Sequence, residues 1–279
     1  MNLMMNVVGM AVGLLVALVL ACSPQPVRGD VLEIPGTGAC ELLLKELAAA
    51  FNQRHPGQQV IIPPSVGTVG GMRLVTSDQA VIVRVAQPLK EAHKGLGLTY
   101  LPFSRDPVVF VVGPKVPVRS ITGSQLADIF SGRITSWQAL GGPPALIRLL
   151  VRQPEDSSLL IIQQHLEPFR QVVFYTAAKV LYTDPDMLAA LQKYDFSIGW
   201  LPLSALQGAN TPIHPLALDG MAPTPENVQS QRYRLVAENA LVFKKQRLND
   251  LAKTFIDFVF SREGQEIIKQ LGAIPIEKD

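Results

Sequence analysis

The chain has 279 residues, of which 48% are hydrophobic and only 17% charged, with a formal net charge of +2. That length and apolar content supply one large core or two modest ones. The near-neutral balance excludes a general attraction to nucleic acid or to an anionic membrane surface, so any anion site must be local.

Residues 1–21 carry no charged side chain, and the run from Val7 to Ala21 is nearly all apolar. It is shorter than the ~20 residues a membrane-spanning helix needs and has the length of a signal-peptide core. It ends Val19-Leu20-Ala21-Cys22, followed by Ser23-Pro24-Gln25-Pro26. This end resembles a bacterial lipoprotein signal, which implies cleavage before Cys22 and acylation of its thiol, although no Lys or Arg precedes the apolar run. A buried amino-terminal helix with an ordinary cysteine is the alternative. Residues 23–30 then read as a tether. With Cys22 acylated, Cys40 has no disulfide partner and reads as a small packed thiol. His55, His93, His165 and His214 are scattered without metal-ligand spacing, and the chain has no Walker loop, G-x-S-x-G or H-E-x-x-H motif.

From residue 31 the chain alternates short apolar runs with helical patterns. Val31–Ile34 reads as a strand, Pro35-Gly36-Thr37-Gly38 as a glycine loop, and Leu43, Leu47 and Phe51 as one helical stripe that stops at His55-Pro56-Gly57. Gln59–Ile62 is the next strand, and Ser65-Val66-Gly67-Thr68-Val69-Gly70-Gly71-Met72 is a second glycine loop opening a helix. Strand–helix–strand of this length makes the two strands parallel with a right-handed crossover. Both loops then leave carboxyl ends of strands at one sheet edge, where open α/β sheets bind ligands. There, orphan N–H groups and helix dipoles suit an anion, and glycine lets it approach the main chain. A tight turn that simply needs glycine is the alternative for either loop alone.

Val81–Val85 is a third strand carrying Arg84, which needs a partner for its fork if buried and otherwise snorkels from an edge. Tyr100–Phe103 and Val108–Val112 are extended, and Ser104–Pro107 between them looks like a crossing point. Thr122 with Gln125 fits a capping box before Leu126–Phe130, and Trp137 in the turn-rich stretch that follows reads as a packing residue. Ile147–Val151 is a strand ending in Arg152, with Ser157 and Ser158 at the next helix start. These serines read either as N-caps or, with Arg152, as donors to one oxyanion. Asp184-Pro185 starts a helix with Met187, Leu188 and Leu191 on its inner face. Ser197–Leu201 is a short strand, residues 208–231 are a long connection or the return crossing, and Leu241–Phe243 is extended. Residues 249–260 and 261–271 are two helices, the second closed by Gly272.

Residues 126–137, Leu-Ala-Asp-Ile-Phe-Ser-Gly-Arg-Ile-Thr-Ser-Trp, with Leu140-Gly141-Gly142, resemble the phosphate-type substrate-binding protein of a bacterial ABC transporter. So do residues 255–265, Phe-Ile-Asp-Phe-Val-Phe-Ser-Arg-Glu-Gly-Gln, then Leu271–Pro275, and more weakly Arg84 with Pro88-Leu89-Lys90. The resemblance covers nearly all of residues 31–276. It implies a two-lobed α/β fold of the periplasmic-binding-protein type II class, with the lobes joined by two crossing strands and the ligand in the cleft. Lobe 1 is expected to comprise residues 31–106 and 236–279, and lobe 2 residues 107–235. A tetrahedral oxyanion, phosphate first, would be held by Thr37, Gly38, Thr68, Gly70, Gly71, Arg84, Arg152, Ser157 and Ser158. Two departures bear on this. Thr68 replaces the usual serine, and Ser157-Ser158 stands where the family has Ser-Gly-Thr. Glu155 and Asp156 also precede that site and would repel an anion unless turned outward, and no acidic counterpart for the ligand's proton is evident near Arg84–Gln87.

The resemblance further implies a monomeric, non-enzymatic protein without cofactor or metal. Lipid-anchored on the outer face of the cell envelope, it would deliver its ligand to permease subunits. A lobe pair that senses an anion or binds a partner without transport is the main alternative. An anchored phosphatase is the other, and it lacks a nucleophile–base pair or a metal site in the sequence.

Overall fold

The computed structural model describes residues 30–278 except Lys94 and Asn210, so Cys22 and the signal and tether segments expected before Asp30 lie outside the described residues. Among the described residues no helix is long and apolar enough to cross a membrane.

The first unit runs β1 (Asp30–Glu33), α1 (Glu41–Arg54), β2 (Gln58–Ile61), α2 (Gly67–Thr76), β3 (Ile82–Val85). β1 and β2 pair in parallel, as the crossover argument requires. Leu43, Leu47 and Phe51 are all buried along α1, which ends at Arg54 with His55 as its C-cap, just before Pro56-Gly57. The second glycine stretch differs from expectation. Helix α2 already begins at Gly67, so Thr68, Gly70 and Gly71 form its first turns rather than a loop. Within that helix Gly71 lies where α2 passes close to the backbone of Gly36, whereas a Cβ at Gly70 would meet only the Val66 side chain.

β4 (Leu98–Val112) is one continuous strand of 15 residues through Ser104–Pro107. Its first part pairs antiparallel with the return strand, and Val108–Val112 pairs with a strand of the other lobe, so the crossing is the strand itself. Lobe 2 follows as β5 (Ser120–Ile121), α3 (Gly123–Phe130), β6 (Arg148–Arg152), α4 (Ser157–His165), β7 (Lys179–Leu181), α5 (Asp184–Lys193), β8 (Ser197–Pro202), α6 (Leu203–Gln207), β9 (His214–Pro215), β10 (Ala217–Leu218) and α7 (Pro225–Gln229). The chain comes back through β11 (Val236–Lys244) and ends with α8 (Asp250–Val259), α9 (Arg262–Gln270) and β12 (Ile274–Pro275). The return crossing is therefore β11, and residues 208–231 are a folded connection within lobe 2.

The central path is β3-β11-β4-β8-β6-β7, antiparallel where the crossing strands lie and parallel from β8 to β7. Strand alternation assigns its two faces in lobe 1. Ile82, Leu241 and Phe243 pack with α1, α8 and α9, while Val83, Val85, Ala240 and Val242 pack under α2 with Met72 and Val75. Lobe 2 has its own core around Phe110, Phe130, Phe169 and Trp200, with Phe130–Phe169 edge-on at 5.3 Å. Thr122 and Gln125 form the expected capping box. Trp137 is buried and donates its indole N–H to the Phe196 carbonyl at 2.9 Å. Gly272 closes α9 at φ +80°.

Candidate functional site

The first glycine loop is wedged between two other segments, and its glycines are explained by that. A Cβ at Gly36 would lie 2.0 Å from the Arg84 carbonyl oxygen, and one at Gly71 would lie 2.9 Å from Gly36 Cα. Main-chain bonds complete the wedge: Thr37 N–H donates to Arg84 at 3.1 Å, Arg84 N–H to Pro35 at 2.9 Å, and Val66 N–H to Gly36 at 3.0 Å. The loop is thus fixed against β3 on one side and the start of α2 on the other.

This fixing brings distant hydroxyls together. Thr37 Oγ1 lies 3.0 Å from Ser157 Oγ, and Thr68 Oγ1 lies 3.2 Å from the same oxygen. The contact joins loop 1 and α2 of lobe 1 to the first turn of α4 in lobe 2, and Thr37 and Ser157 are buried. Gly38 belongs to the same spot, since a Cβ there would sit 3.4 Å from Ser65 Oγ and 3.8 Å from Arg152 Nη2. Ser65, which sequence reasoning did not select, accepts from Gly67 N–H at 3.1 Å and donates to the Gly36 carbonyl at 3.2 Å. Ser158 is also buried, and its Oγ has no hydrogen-bond partner among the described residues.

Arg84 has a different task from the one expected. It is fully buried, because strand alternation turns it with Ile82 toward α1. There it donates through Nε to the Thr37 carbonyl at 2.8 Å, through Nη2 to Pro63 at 2.8 Å and to Glu41 Oε2 at 3.3 Å, and through Nη1 to the Ile34 carbonyl. Its fork braces loop 1 from behind, where the expectation gave it to the ligand. Gly71 likewise serves the backbone approach of α2 to Gly36.

Arg152 stands at the carboxyl end of β6, and its guanidinium meets two carboxylates. Nη2 is 2.9 Å from Asp156 Oδ2, Nε donates to the same oxygen at 3.1 Å, and Nη1 is 3.0 Å from Asp184 Oδ1. Nη2 also donates to the Tyr182 carbonyl at 3.1 Å. Nη1 is buried and has the Asp184 ion pair but no aligned hydrogen bond. Asp156 turns inward, the orientation in which its carboxylate opposes an anion, because it is the N-cap of α4 and accepts from Leu159 N–H at 2.9 Å. Ser157 and Ser158 are therefore the first helical residues and are not caps; Glu155 alone faces outward.

Three further acidic residues are buried here: Glu41, Asp106 and Asp184. Burial pushes Asp184 well up, to about 7, against the opposing pull of Arg152 and with the added repulsion of Asp156. Burial also pushes Asp106 up to about 7, although it accepts hydrogen bonds from the Ser204 hydroxyl and from Ser204 N–H at 3.2 Å. Burial drives the Cys40 thiol up to about 12, so it is inert as a nucleophile. The i, i+4 spacing of Arg152 and Asp156 was a readable signal. Asp184 had none, since a helix start accounts for an Asp-Pro pair fully. Among the described residues there is no group of three or more His, Cys, Asp or Glu that could hold a metal ion.

Two α/β lobes joined by long antiparallel strands, with helix amino termini and hydroxyls meeting between them, define a two-lobed binding protein. Residues 23–263 match the PBP superfamily domain, and the chain belongs to that family. It is 23% identical over 254 residues to the phosphate-binding protein PstS of Borreliella burgdorferi, covering 88% of this chain and 90% of that protein. It is 25% identical over 256 residues to the phosphate-binding protein PstS of Bacillus subtilis, covering 88% and 80%. A crystal structure of a putative phosphate ABC transporter substrate-binding protein with bound phosphate, from Clostridium perfringens, superposes with a TM-score of 0.78 at 24% identity, covering 89% of this chain and all of that one.

Proposed function

We propose that this chain is an extracytoplasmic substrate-binding protein that captures inorganic phosphate between its lobes for an ABC importer. It binds without catalysis and is held to the membrane by a lipid on Cys22. The observation that carries this reading is the meeting of Thr37, Thr68 and Ser157 hydroxyls, from three separate segments, beside Gly38 and Arg152. The phosphate-binding names of the relatives support the choice of anion. In this reading Thr37, Gly38, Thr68, Gly70, Ser157 and Ser158 supply hydroxyl and N–H donors and Arg152 supplies charge. Each hydrogen bond to a charged ligand contributes about 1.5–3 kcal/mol net, and a micromolar site needs about 8 kcal/mol, so five or six donors suffice. Residues 31–106 with 236–279 act as one lobe and 107–235 as the other, and ligand selects their closed arrangement for docking on the permease.

A sensor or partner-binding lobe pair is the second reading, favoured by the engagement of Arg152 with two carboxylates and by the direct hydroxyl contact between lobes. Isothermal titration of the purified chain with phosphate, sulfate and acetate separates the two. Micromolar or tighter binding of phosphate is expected; no heat with any of the anions would overturn the transport reading. Palmitate labelling of cells expressing the full chain, lost in Cys22→Ala, tests the anchor.

A further inference from the structure

Arg152, Asp156 and Asp184 form a buried trio whose formal charge is −1 when both carboxyls are ionised. That sign is wrong for an anion. Asp156 cannot easily leave the trio, because the same carboxylate caps α4. Asp184 is the free member. It meets Arg152 only through Nη1, which has no aligned hydrogen bond, and α5 takes its cap from Thr183 and not from Asp184. The groups facing Asp184 from the other elements do not neutralise it. β6 presents Arg152, and α4 contributes Asp156. Before and within α1 lie Cys40 and Glu41, the latter already paired with Arg84 and Lys45. From β4 comes Asp106, bonded to Ser204. On its own helix, Asp186 is exposed and tied to Thr183.

Resting on the phosphate reading above, we propose that Asp184 couples anion capture to the uptake of one proton from solvent. The proton adds to a carboxylate oxygen of Asp184, the trio becomes neutral, and the Nη1 donors of Arg152 become available to the ligand. No bond other than that O–H forms or breaks. An added anion disfavours ionisation of the neighbouring carboxyl, and by reciprocity the protonated carboxyl favours the anion. Asp184 is thus a positioning and charge-setting residue: it sets the pH range in which the site works.

The test is titration calorimetry of the purified chain with inorganic phosphate at pH 8.3, run in two buffers of different ionisation enthalpy. Uptake of about one proton per phosphate is expected, with Kd rising about tenfold between pH 7.5 and 8.5. Asp184→Asn is expected to bind phosphate without proton uptake and with the same Kd at both pH values. Binding by the unaltered protein without proton uptake would overturn the proposal and leave the phosphate reading standing. Uptake that persists in D184N would also overturn it, because the proton then travels on the anion. No heat with phosphate at any pH would remove the proposal and the phosphate reading together. The phosphorus-31 shift of phosphate bound to the unaltered protein decides without any variant: the monohydrogen form supports proton uptake by Asp184, and the dihydrogen form refutes it.

Discussion

Replacing Arg84 with methionine keeps the volume and removes the fork. Four acceptors then lose their donor at once: the carbonyls of Ile34, Thr37 and Pro63, and Glu41 Oε2. The side chain is fully buried, and Glu41 is nearly so, so water cannot easily take the place of the guanidinium. Removing one partner of a buried ion pair costs about 3–5 kcal/mol, and the orphaned carbonyls keep the figure at the upper end. For a chain of this size that corresponds to a fall of about 6–20 °C in melting temperature. Glu41 retains Lys45 at 2.7 Å, so the loss should not exceed that range. Differential scanning calorimetry of the Arg84→Met protein checks it. Adding Glu41→Gln is expected to restore part of the loss by removing the stranded carboxylate. A variant that melts within about 2 °C of the parent and yet fails to bind phosphate would refute the bracing role. Arg84 would then be a ligand group after all.

Ser157→Ala removes the oxygen shared by Thr37 and Thr68 and should weaken phosphate binding about tenfold, or roughly 1.4 kcal/mol, with little change in melting temperature; titration calorimetry reads the first and differential scanning calorimetry the second. Gly71→Ala places a Cβ 2.9 Å from Gly36 Cα, a backbone atom that cannot rotate away. It should cost about 1–3 kcal/mol in urea unfolding. Asp106 is held neutral in the fold up to about pH 7, whereas it ionises near 4 when unfolded. The folded state therefore binds the extra proton between those values, and the stability Asp106 contributes is present below about pH 4 and lost as pH rises to 7. Asp106→Asn should accordingly melt progressively higher relative to the parent as pH is raised from 4 to 8, and a gap that stays constant with pH would contradict the assignment.

Much of the architecture is written in local pattern. The Leu43–Leu47–Phe51 stripe, the breaker at Pro56-Gly57, the Thr122–Gln125 capping box and the glycine after α9 each act within a few residues, through periodicity, backbone dihedrals or one short-range hydrogen bond. Parallel pairing of β1 with β2 also follows from chain order, because a short helical crossover admits little else. These features could be read before any coordinates because their causes lie inside the segments that show them.

The direction of a buried charge could not be read that way. Arg84 lies next to the end of one apolar strand and Arg152 at the end of another, yet one faces carbonyls behind a loop and the other faces two carboxylates. Which of these happens depends on the face that strand alternation gives each arginine and on what a helix far along the chain puts there. Asp184, 32 residues after Arg152, meets it only because β7 lies parallel to β6 and delivers the start of α5 to the same edge. The segments that make such a pair are separated by closure of the fold itself, so its electrostatics exist only in the assembled molecule.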